Sequence, residues 1–146
     1  MDLEQHMHRA LAVAQTARRR TSPNPWVGCV VATLDGRMFE GATEPPGQRH
    51  AERVAMDAAL AAGADLHGAS LFTTLEPCSH HGRTGPCADA IVAAGVAHVV
   101  VAVGDPDPKV AGRGIHFLRQ AGVQVTTDVL TAEASEQLRP YLHHRR

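Results

Sequence analysis

The sequence predicts an α/β domain, on the basis of its composition and the order of its apolar patterns. Apolar residues make up 44% of the 146 residues and aromatic residues only 3%, so Ala, Val and Leu must fill the core, which is common in α/β proteins. Short Val-rich runs typical of buried strands alternate with stretches whose apolar residues recur at helical spacing. Because the chain shows neither a repeat nor a linker, we expect a single domain over residues 1–146.

Turn residues mark where the predicted elements begin and end. Asp35-Gly36 is typical of a hairpin turn, and Gly63 and Gly95 are each placed to end a helix. We predict helices over residues 2–18, 50–62, 86–94, 110–122 and 132–142, and strands over residues 26–32, 37–41, 70–75, 96–103 and 123–126. The second helix is expected to bury Ala51, Val54, Ala55, Ala58, Ala59 and Ala62, and the fourth Ile115, Leu118 and Ala121.

The stretch from His50 to Cys87 carries the side chains of a catalytic zinc site. His50, Cys78 and Cys87 offer one imidazole and two thiolates, and three protein ligands leave one tetrahedral position for a water molecule. Cys78 and Cys87 each follow a proline, and Cys87 begins a predicted helix, whose N-terminus favours a thiolate. Glu52 is close enough to His50 to carry protons without binding the metal. We therefore expect one Zn²⁺ ion per chain.

Other interpretations of these cysteines and of their neighbours explain less. A disulfide is disfavoured because the chain has three cysteines and no signal sequence. Two core cysteines would leave the joint occurrence of His-x-Glu and two Pro-Cys pairs unexplained. Cys29 lies within an apolar run, where a buried free thiol is expected. We place His80 and His81 in a pocket wall or on the surface rather than among the ligands.

Two loops stiffened by prolines supply candidate substrate contacts. Pro23 and Pro25 hold the backbone around Asn24 extended, so that its amide projects toward a heterocycle edge or a sugar hydroxyl. An Asx turn explains Asn24 equally well. The loop with Asp105 and Asp107 follows a predicted strand, and the carboxyl ends of strands line the ligand crevice in open α/β sheets.

Charge and hydropathy exclude several classes of partner. The chain has 14 Lys and Arg residues and 15 Asp and Glu residues, a net charge of −1. It therefore lacks the excess of positive charge that is typical of proteins that bind long nucleic acids. The three arginines at residues 18–20 are interpreted as a solvated helix end. No apolar run approaches the ~20 residues that span a bilayer, and no signal core is present. We expect a cytoplasmic protein with a small-molecule substrate and no membrane partner.

With these parts assembled, the sequence resembles the deaminase domain of bacterial bifunctional riboflavin-biosynthesis deaminase/reductases. The resemblance runs from about residue 6 to residue 127 and rests mainly on TSPNPWVGCVV, HAE, TLEPCSHHGRTGPC, DPDPKVAGRGI and LRQAGVQV. The eight-residue gap between Cys78 and Cys87 is similar to that branch. Cytidine, guanine and tRNA-adenosine deaminases of the same superfamily have a two-residue gap.

The resemblance implies a three-layer α/β/α cytidine deaminase-like fold with a mixed central sheet. It implies hydrolytic removal of an exocyclic amine from 2,5-diamino-6-ribosylamino-4(3H)-pyrimidinone 5′-phosphate, with release of ammonia. His50, Cys78 and Cys87 would then be the zinc ligands and Glu52 the acid/base, in a homo-oligomer. The expected substrate contacts, among which Arg83 stands near the phosphate, are Asn24, Thr43, Ala51, His80, Arg83, Asp105 and Asp107.

The chain departs from the family pattern at three places. Thr43 replaces a histidine and Asp107 an asparagine. Residues 128–146 look like a helix and the junction to a reductase domain, and we expect the chain to lack that domain. We expect Asp107 to face the sugar while Arg83 holds the phosphate; the opposite arrangement would favour a substrate without phosphate. Two alternatives stay open: deamination of another small pyrimidine, pterin or nucleoside, and a non-catalytic zinc-stabilised partner of a separate reductase, against which Glu52 argues.

Overall fold

A computed structural model describes residues 2–17, 26–45, 48–78, 87–104 and 112–140. None of the helices in these ranges combines the length and the apolar character needed to cross a bilayer. In chain order the elements are α1 (Leu3–Gln15), β1 (Gly28–Ala32), β2 (Met38–Ala42), α2 (Ala51–Ala61), β3 (Ser70–Leu75), α3 (Cys87–Ala93), β4 (His98–Val103), α4 (Arg113–Gln120), β5 (Gln124–Thr126) and α5 (Thr131–Gln137).

The five strands form one mixed sheet in the order β2-β1-β3-β4-β5. β1 pairs antiparallel with β2 and with β3, whereas β3, β4 and β5 run parallel. Gly36 has a φ of +88° in the predicted hairpin turn between β1 and β2, a conformation that favours glycine. Leu75 pairs with Val103, so the carboxyl ends of β3 and β4 meet at one edge of the sheet.

Helices cover both faces of the sheet. On one face, α1 approaches β1 so closely that a Cβ at Gly28 would lie 1.9 Å from the Ala10 carbonyl oxygen. The side chain of Gln137 in α5 donates to the Leu11 carbonyl oxygen at 2.8 Å, which joins α5 to α1 on this face. On the other face α2 also packs closely, since a Cβ at Gly41 would lie 2.4 Å from the Ala55 backbone nitrogen, and α3 and α4 lie beside α2. The predicted α/β fold with a mixed central sheet is confirmed.

The buried faces of two helices differ from the prediction. Ala58 and Ala62 are exposed, and Glu52 and Met56 are buried instead. The helix is rolled so that the row formed by Glu52 and Met56, one turn apart, faces the sheet beside the row of alanines. Ala121 is also exposed; α4 ends at Gln120, and Ala121 is its C-cap. The roll of α2 places the carboxyl group of Glu52 inside the protein.

Candidate metal centre and active site

The ends of three elements deliver the predicted metal ligands to the carboxyl edge of β3. His50 is the N-cap of α2, with an extended backbone (φ −75°, ψ 163°) and no side-chain capping bond, so its ring points beyond the helix. Cys78 follows β3, and Cys87 is the first residue of α3. The Cys87 N–H donates to the Cys78 Sγ at 3.4 Å, and the Ala88 N–H donates to the Cys78 carbonyl oxygen at 3.0 Å. The first turn of α3 thereby holds the two cysteines together.

The three side chains have the spacing of a tetrahedral zinc site. Their ligand atoms all lie within 4.8 Å of one another. The His50 Nδ1 is 3.3 Å from the Cys87 Sγ and 3.8 Å from the Cys78 Sγ. With Zn–S near 2.3 Å and Zn–N near 2.0 Å, adjacent ligand atoms of a tetrahedron lie about 3.5–3.8 Å apart. The donor set therefore fits zinc, and among the described residues the group has these three members.

Hydrogen bonding between the two cysteine side chains shifts their pKa values in opposite directions. It lowers the pKa of Cys78 and raises the pKa of Cys87. The hydrogen bond to the Cys78 sulfur raises the pKa of His50. A dication requires both sulfurs as thiolates and the imidazole neutral, so metal binding releases protons from this group.

Glu52 lies beside the ligands but does not belong to the group. It is 4% exposed, and its Oε1 accepts a hydrogen bond at 3.3 Å from the Thr73 hydroxyl, whose one proton is shared with the Leu75 carbonyl oxygen at 2.8 Å. Burial raises the pKa of Glu52, because desolvation disfavours the charged carboxylate. Cys29 is a fully buried free thiol on the same face, and burial raises its pKa as well. The prediction that Cys29 is a buried free cysteine is confirmed, and its exclusion from the ligand set stays a prediction.

Two predicted substrate contacts are described by the structure, and both are buried. The Thr43 hydroxyl accepts from the Val27 N–H at 2.9 Å and lies 3.3 Å from the Val27 carbonyl oxygen, so it extends the pairing of β1 with β2. Ala51 has no exposed surface, and its carbonyl oxygen lies against Gly41. Contact of Thr43 and Ala51 with a substrate stays a prediction.

The other predicted substrate contacts stay predictions as well. Asn24, His80, Arg83, Asp105 and Asp107 lie outside the residues that the structure describes.

Two buried polar residues that border the site, Thr73 and Glu76, are not among the site residues predicted from the sequence. Thr73 is fully buried and donates to Glu52, and Glu76 is 4% exposed and lies between β3 and Cys78. The available signal was a polar residue inside or at the end of an apolar strand, since a buried polar group needs a partner.

Proteins of known family resemble this chain over nearly all of its length. "Riboflavin biosynthesis protein RibD" of Escherichia coli (strain K12) is 47% identical over 146 residues, which cover 100% of this chain and 39% of that protein. RibD of Chlamydia pneumoniae is 43% identical over 139 residues, or 95% of this chain and 36% of that protein. This chain thus spans about two fifths of the length of these relatives.

Solved structures show the same likeness. The Thermotoga maritima diaminohydroxyphosphoribosylaminopyrimidine deaminase/5-amino-6-(5-phosphoribosylamino)uracil reductase superimposes with a TM-score of 0.93 at 39% identity, over 98% of this chain and 41% of that one. Acinetobacter baumannii RibD superimposes with a TM-score of 0.91 at 40% identity, over 98% of this chain and 39% of that one. These neighbours share the three-layer cytidine deaminase-like fold that the sequence predicts.

The family model for the cytidine and deoxycytidylate deaminase zinc-binding region matches residues 1–103, which include all three predicted ligands and Glu52. The chain therefore belongs to the cytidine and deoxycytidylate deaminase zinc-binding family.

Proposed function

We propose that this chain is a zinc-dependent aminohydrolase that removes an exocyclic amine from 2,5-diamino-6-ribosylamino-4(3H)-pyrimidinone 5′-phosphate, releasing ammonia. The observation that carries the proposal is the convergence of one imidazole and two thiol groups beside a buried carboxylate that is not a ligand. A purely structural zinc site has no use for a proton carrier, and it is usually closed by a fourth ligand.

In this proposal, His50, Cys78 and Cys87 hold the zinc ion. When bound, zinc lowers the pKa of a coordinated water molecule toward neutrality and so supplies the nucleophile. The ends of β3, α2 and α3 carry these three side chains, so regular structure fixes where each ligand atom would meet the ion. Three protein ligands would leave one coordination position for a water molecule.

Glu52 moves the protons of the reaction. Hydrolysis adds the water oxygen to the ring carbon that bears the amine, and the amine leaves as ammonia after taking up a proton. Glu52 accepts a proton from the water and passes it to the substrate nitrogen, which is general base followed by general acid catalysis. Two features of the site support this role: burial raises the pKa of Glu52, and the Thr73 hydroxyl donates to its Oε1.

The substrate assignment rests on similarity to the RibD relatives and on the predicted contacts. Arg83 is assigned to the phosphate, Asp107 to the sugar, and Asn24 to the pyrimidine or the ribose. The name of the Thermotoga maritima neighbour joins a pyrimidine deaminase with a reductase, and we propose that a reductase acts on the product of this chain as well.

The homo-oligomeric state and the cytoplasmic location stay predictions. Sedimentation velocity tests the oligomeric state.

Ammonia release by the purified zinc form tests the proposal directly. A panel of the 5′-phosphorylated ribosylaminopyrimidine, its dephosphorylated analogue, cytidine, dCMP and an aminopterin should show the highest kcat/KM for the phosphorylated compound. Metal analysis should find about one zinc ion per chain, as expected for a single site with three protein ligands.

Two results would contradict the proposal. Turnover of another heterocycle at a higher kcat/KM would replace the substrate, and absence of ammonia release from every compound by zinc-loaded protein would remove the activity. A preference for the dephosphorylated compound that Asp107→Asn reverses would place Asp107 at the phosphate position instead of at the sugar.

A further inference from the structure

The three residues after the central strand, Glu76, Pro77 and Cys78, form the turn that carries one of the metal ligands, and we call them the ligand turn. The Glu76 N–H donates to the Val103 carbonyl oxygen at 2.9 Å, which joins the start of the turn to β4. The first two N–H groups of α3 bind the Sγ and the carbonyl oxygen of Cys78, which joins its end to α3. Between these two anchors, the Glu76 side chain and Pro77 contact α4.

The Glu76 carboxylate binds the N-terminus of α4. The residue is 4% exposed, and a buried carboxylate is unfavourable unless its oxygens accept hydrogen bonds. Its Oε1 accepts from the Gly112 N–H at 3.0 Å, and its Oε2 accepts from the N–H groups of Gly114 at 3.0 Å and Ile115 at 3.3 Å. The N-cap of α4 is Gly112, which has no side chain to satisfy these groups, so the acceptor comes from the ligand turn.

The backbone of α4 also lies directly against the backbone of the ligand turn. A Cβ at Gly114 would lie 1.9 Å from the Pro77 carbonyl oxygen, so no residue larger than glycine fits without a shift of the backbone. That carbonyl belongs to the peptide bond between Pro77 and Cys78. The hydrogen bonds to Glu76 and this contact together fix the peptide that leads into Cys78 relative to α4.

The metal site depends on the position of this peptide. Zinc needs its sulfur and nitrogen donors at about 2.0–2.3 Å, so a small displacement of the ligand turn would take the Cys78 Sγ out of reach. We propose that Glu76 is a positioning residue for the metal site, which ties the ligand turn to α4 and so keeps the Cys78 Sγ in place for zinc. This inference rests on the zinc site of the proposed function, and its test requires no substrate.

The Glu76→Gln variant tests the inference, because it keeps the size of the side chain but replaces one acceptor oxygen with an NH₂ group that faces N–H donors. Competition with a chromophoric chelator at constant pH measures the dissociation constant of zinc from the full chain. We expect this constant to rise about 10- to 100-fold, the range for loss of a group that orients a metal ligand. The control is Glu40→Gln, a carboxylate bound by Arg9 on the opposite face of the sheet, which should keep the wild-type constant.

A second control separates positioning from a general loss of stability. Leu138 is 1% exposed and follows α5 in the layer of α1, whereas the ligand His50 caps α2 in the other layer. Leu138→Ala should lower the melting temperature by opening a cavity, yet bind zinc with the wild-type dissociation constant. If Leu138→Ala weakened zinc binding as much as Glu76→Gln does, the effect would be one of stability, and the inference would be overturned.

Amide hydrogen exchange supplies a measurement that is independent of metal affinity. In zinc-loaded Glu76→Gln, exchange should accelerate at the three N–H groups of α4 that bind the carboxylate. The Val54 N–H, bonded to the His50 carbonyl oxygen in the first turn of α2, should exchange as in the wild type. Unchanged exchange at the three α4 amides would refute the contact itself.

A zinc dissociation constant of Glu76→Gln equal to that of the wild type would overturn the inference, whether or not the melting temperature falls. A wild-type chain that binds no zinc would instead refute the proposed function, and with it the site on which the inference rests. Should Glu76→Gln fail to fold, Glu76→Asp retains the charge on a shorter side chain. Its dissociation constant should rise by about threefold or more, as for loss of one hydrogen bond, and wild-type affinity in that variant would contradict the inference.

Discussion

Two neighbouring residues of the central strand face opposite layers of the protein and have opposite environments. Phe72 and Thr73 are both fully buried. Phe72 points to the α1 layer and stacks with the His6 ring, with centroids 4.8 Å apart and planes inclined by 20°. Thr73 points to the α2 layer and donates to Glu52. At this point of the strand, one face is packed by a ring contact and the other supports a carboxyl group.

The difference shows how stability and chemistry are distributed over the sheet. On the α1 face, closely packed side chains and the absence of a Cβ at Gly28 allow the helix to lie directly on the strand. On the α2 face, Glu52, Thr73 and Cys29 are buried polar or polarisable groups, which are costly to bury unless they serve as partners of one another or of a ligand. Substitutions on the first face should therefore change stability, and those on the second should change activity.

The largest expected effect is on the α2 face. Glu52→Gln should lower kcat by about 10²- to 10⁴-fold, the range for loss of a general acid/base, while zinc is retained. Stability should not fall, since burial already disfavours the charged form that the substitution removes. Single-turnover assays with metal analysis on the same sample check this. The control is Glu133→Gln, at an exposed position of α5, which should have the wild-type kcat. If Glu52→Gln had a kcat near that of the wild type, another residue would be the general acid/base.

The matching change on the α1 face is Phe72→Ala. It should lower the free energy of unfolding by about 3–5 kcal/mol, because it leaves a cavity under α1. The kcat of the molecules that remain folded should be unchanged. Urea denaturation measures the free energy of unfolding, and titration of active sites gives the kcat per folded molecule. Leu34→Ala, at a side chain that is 79% exposed, should shift stability by no more than about 0.5 kcal/mol.

A smaller effect on activity is expected for Thr73→Val, which keeps the shape of the side chain and removes the donor to Glu52. The loss of one hydrogen bond of about 1 kcal/mol corresponds to a fall in kcat of about fivefold. Thr73→Ser keeps a hydroxyl and should restore most of the rate. If valine and serine variants were equally active, the hydroxyl would have no part in orienting Glu52.

The smallest effect concerns the pH dependence of stability on the α1 face. Burial lowers the pKa of His98, whose Nε2 lies 2.7 Å from the Thr126 hydroxyl. With the folded-state pKa below the unfolded value of about 6.5, the unfolded chain binds more protons, so this contribution to stability is present above pH ~6.5 and is lost as the pH falls.

His98→Gln should therefore reduce the drop in melting temperature between pH 7.5 and pH 5 relative to the wild type. Thermal unfolding followed by circular dichroism measures the difference, and the pH profile of kcat serves as the internal control, since it should be the same in both proteins. Equal drops in melting temperature would mean that His98 makes no contribution.

Local sequence patterns predicted the order and type of every described element. β3 has the predicted bounds, and α2 and α3 follow the predicted His50 and Pro86 and end before Gly63 and Gly95. These features depend on neighbours in the chain, such as apolar period and turn residues, and can be identified without knowledge of the fold. The three candidate ligands, His50, Cys78 and Cys87, were predictable because zinc is bound by few types of side chain.

The roll of a helix and the partners of a buried polar group depend on contacts between residues far apart in the chain. The sequence by itself determined the α/β class, the sheet-forming runs and the three candidate ligands, because short-range pattern and donor chemistry specify them. The tertiary structure alone decided that Met56 rather than Ala58 faces the sheet, that Thr73 supports Glu52, and that Glu76 caps α4, 36 residues further along the chain. Such pairings follow from how the layers pack, and no local period encodes them.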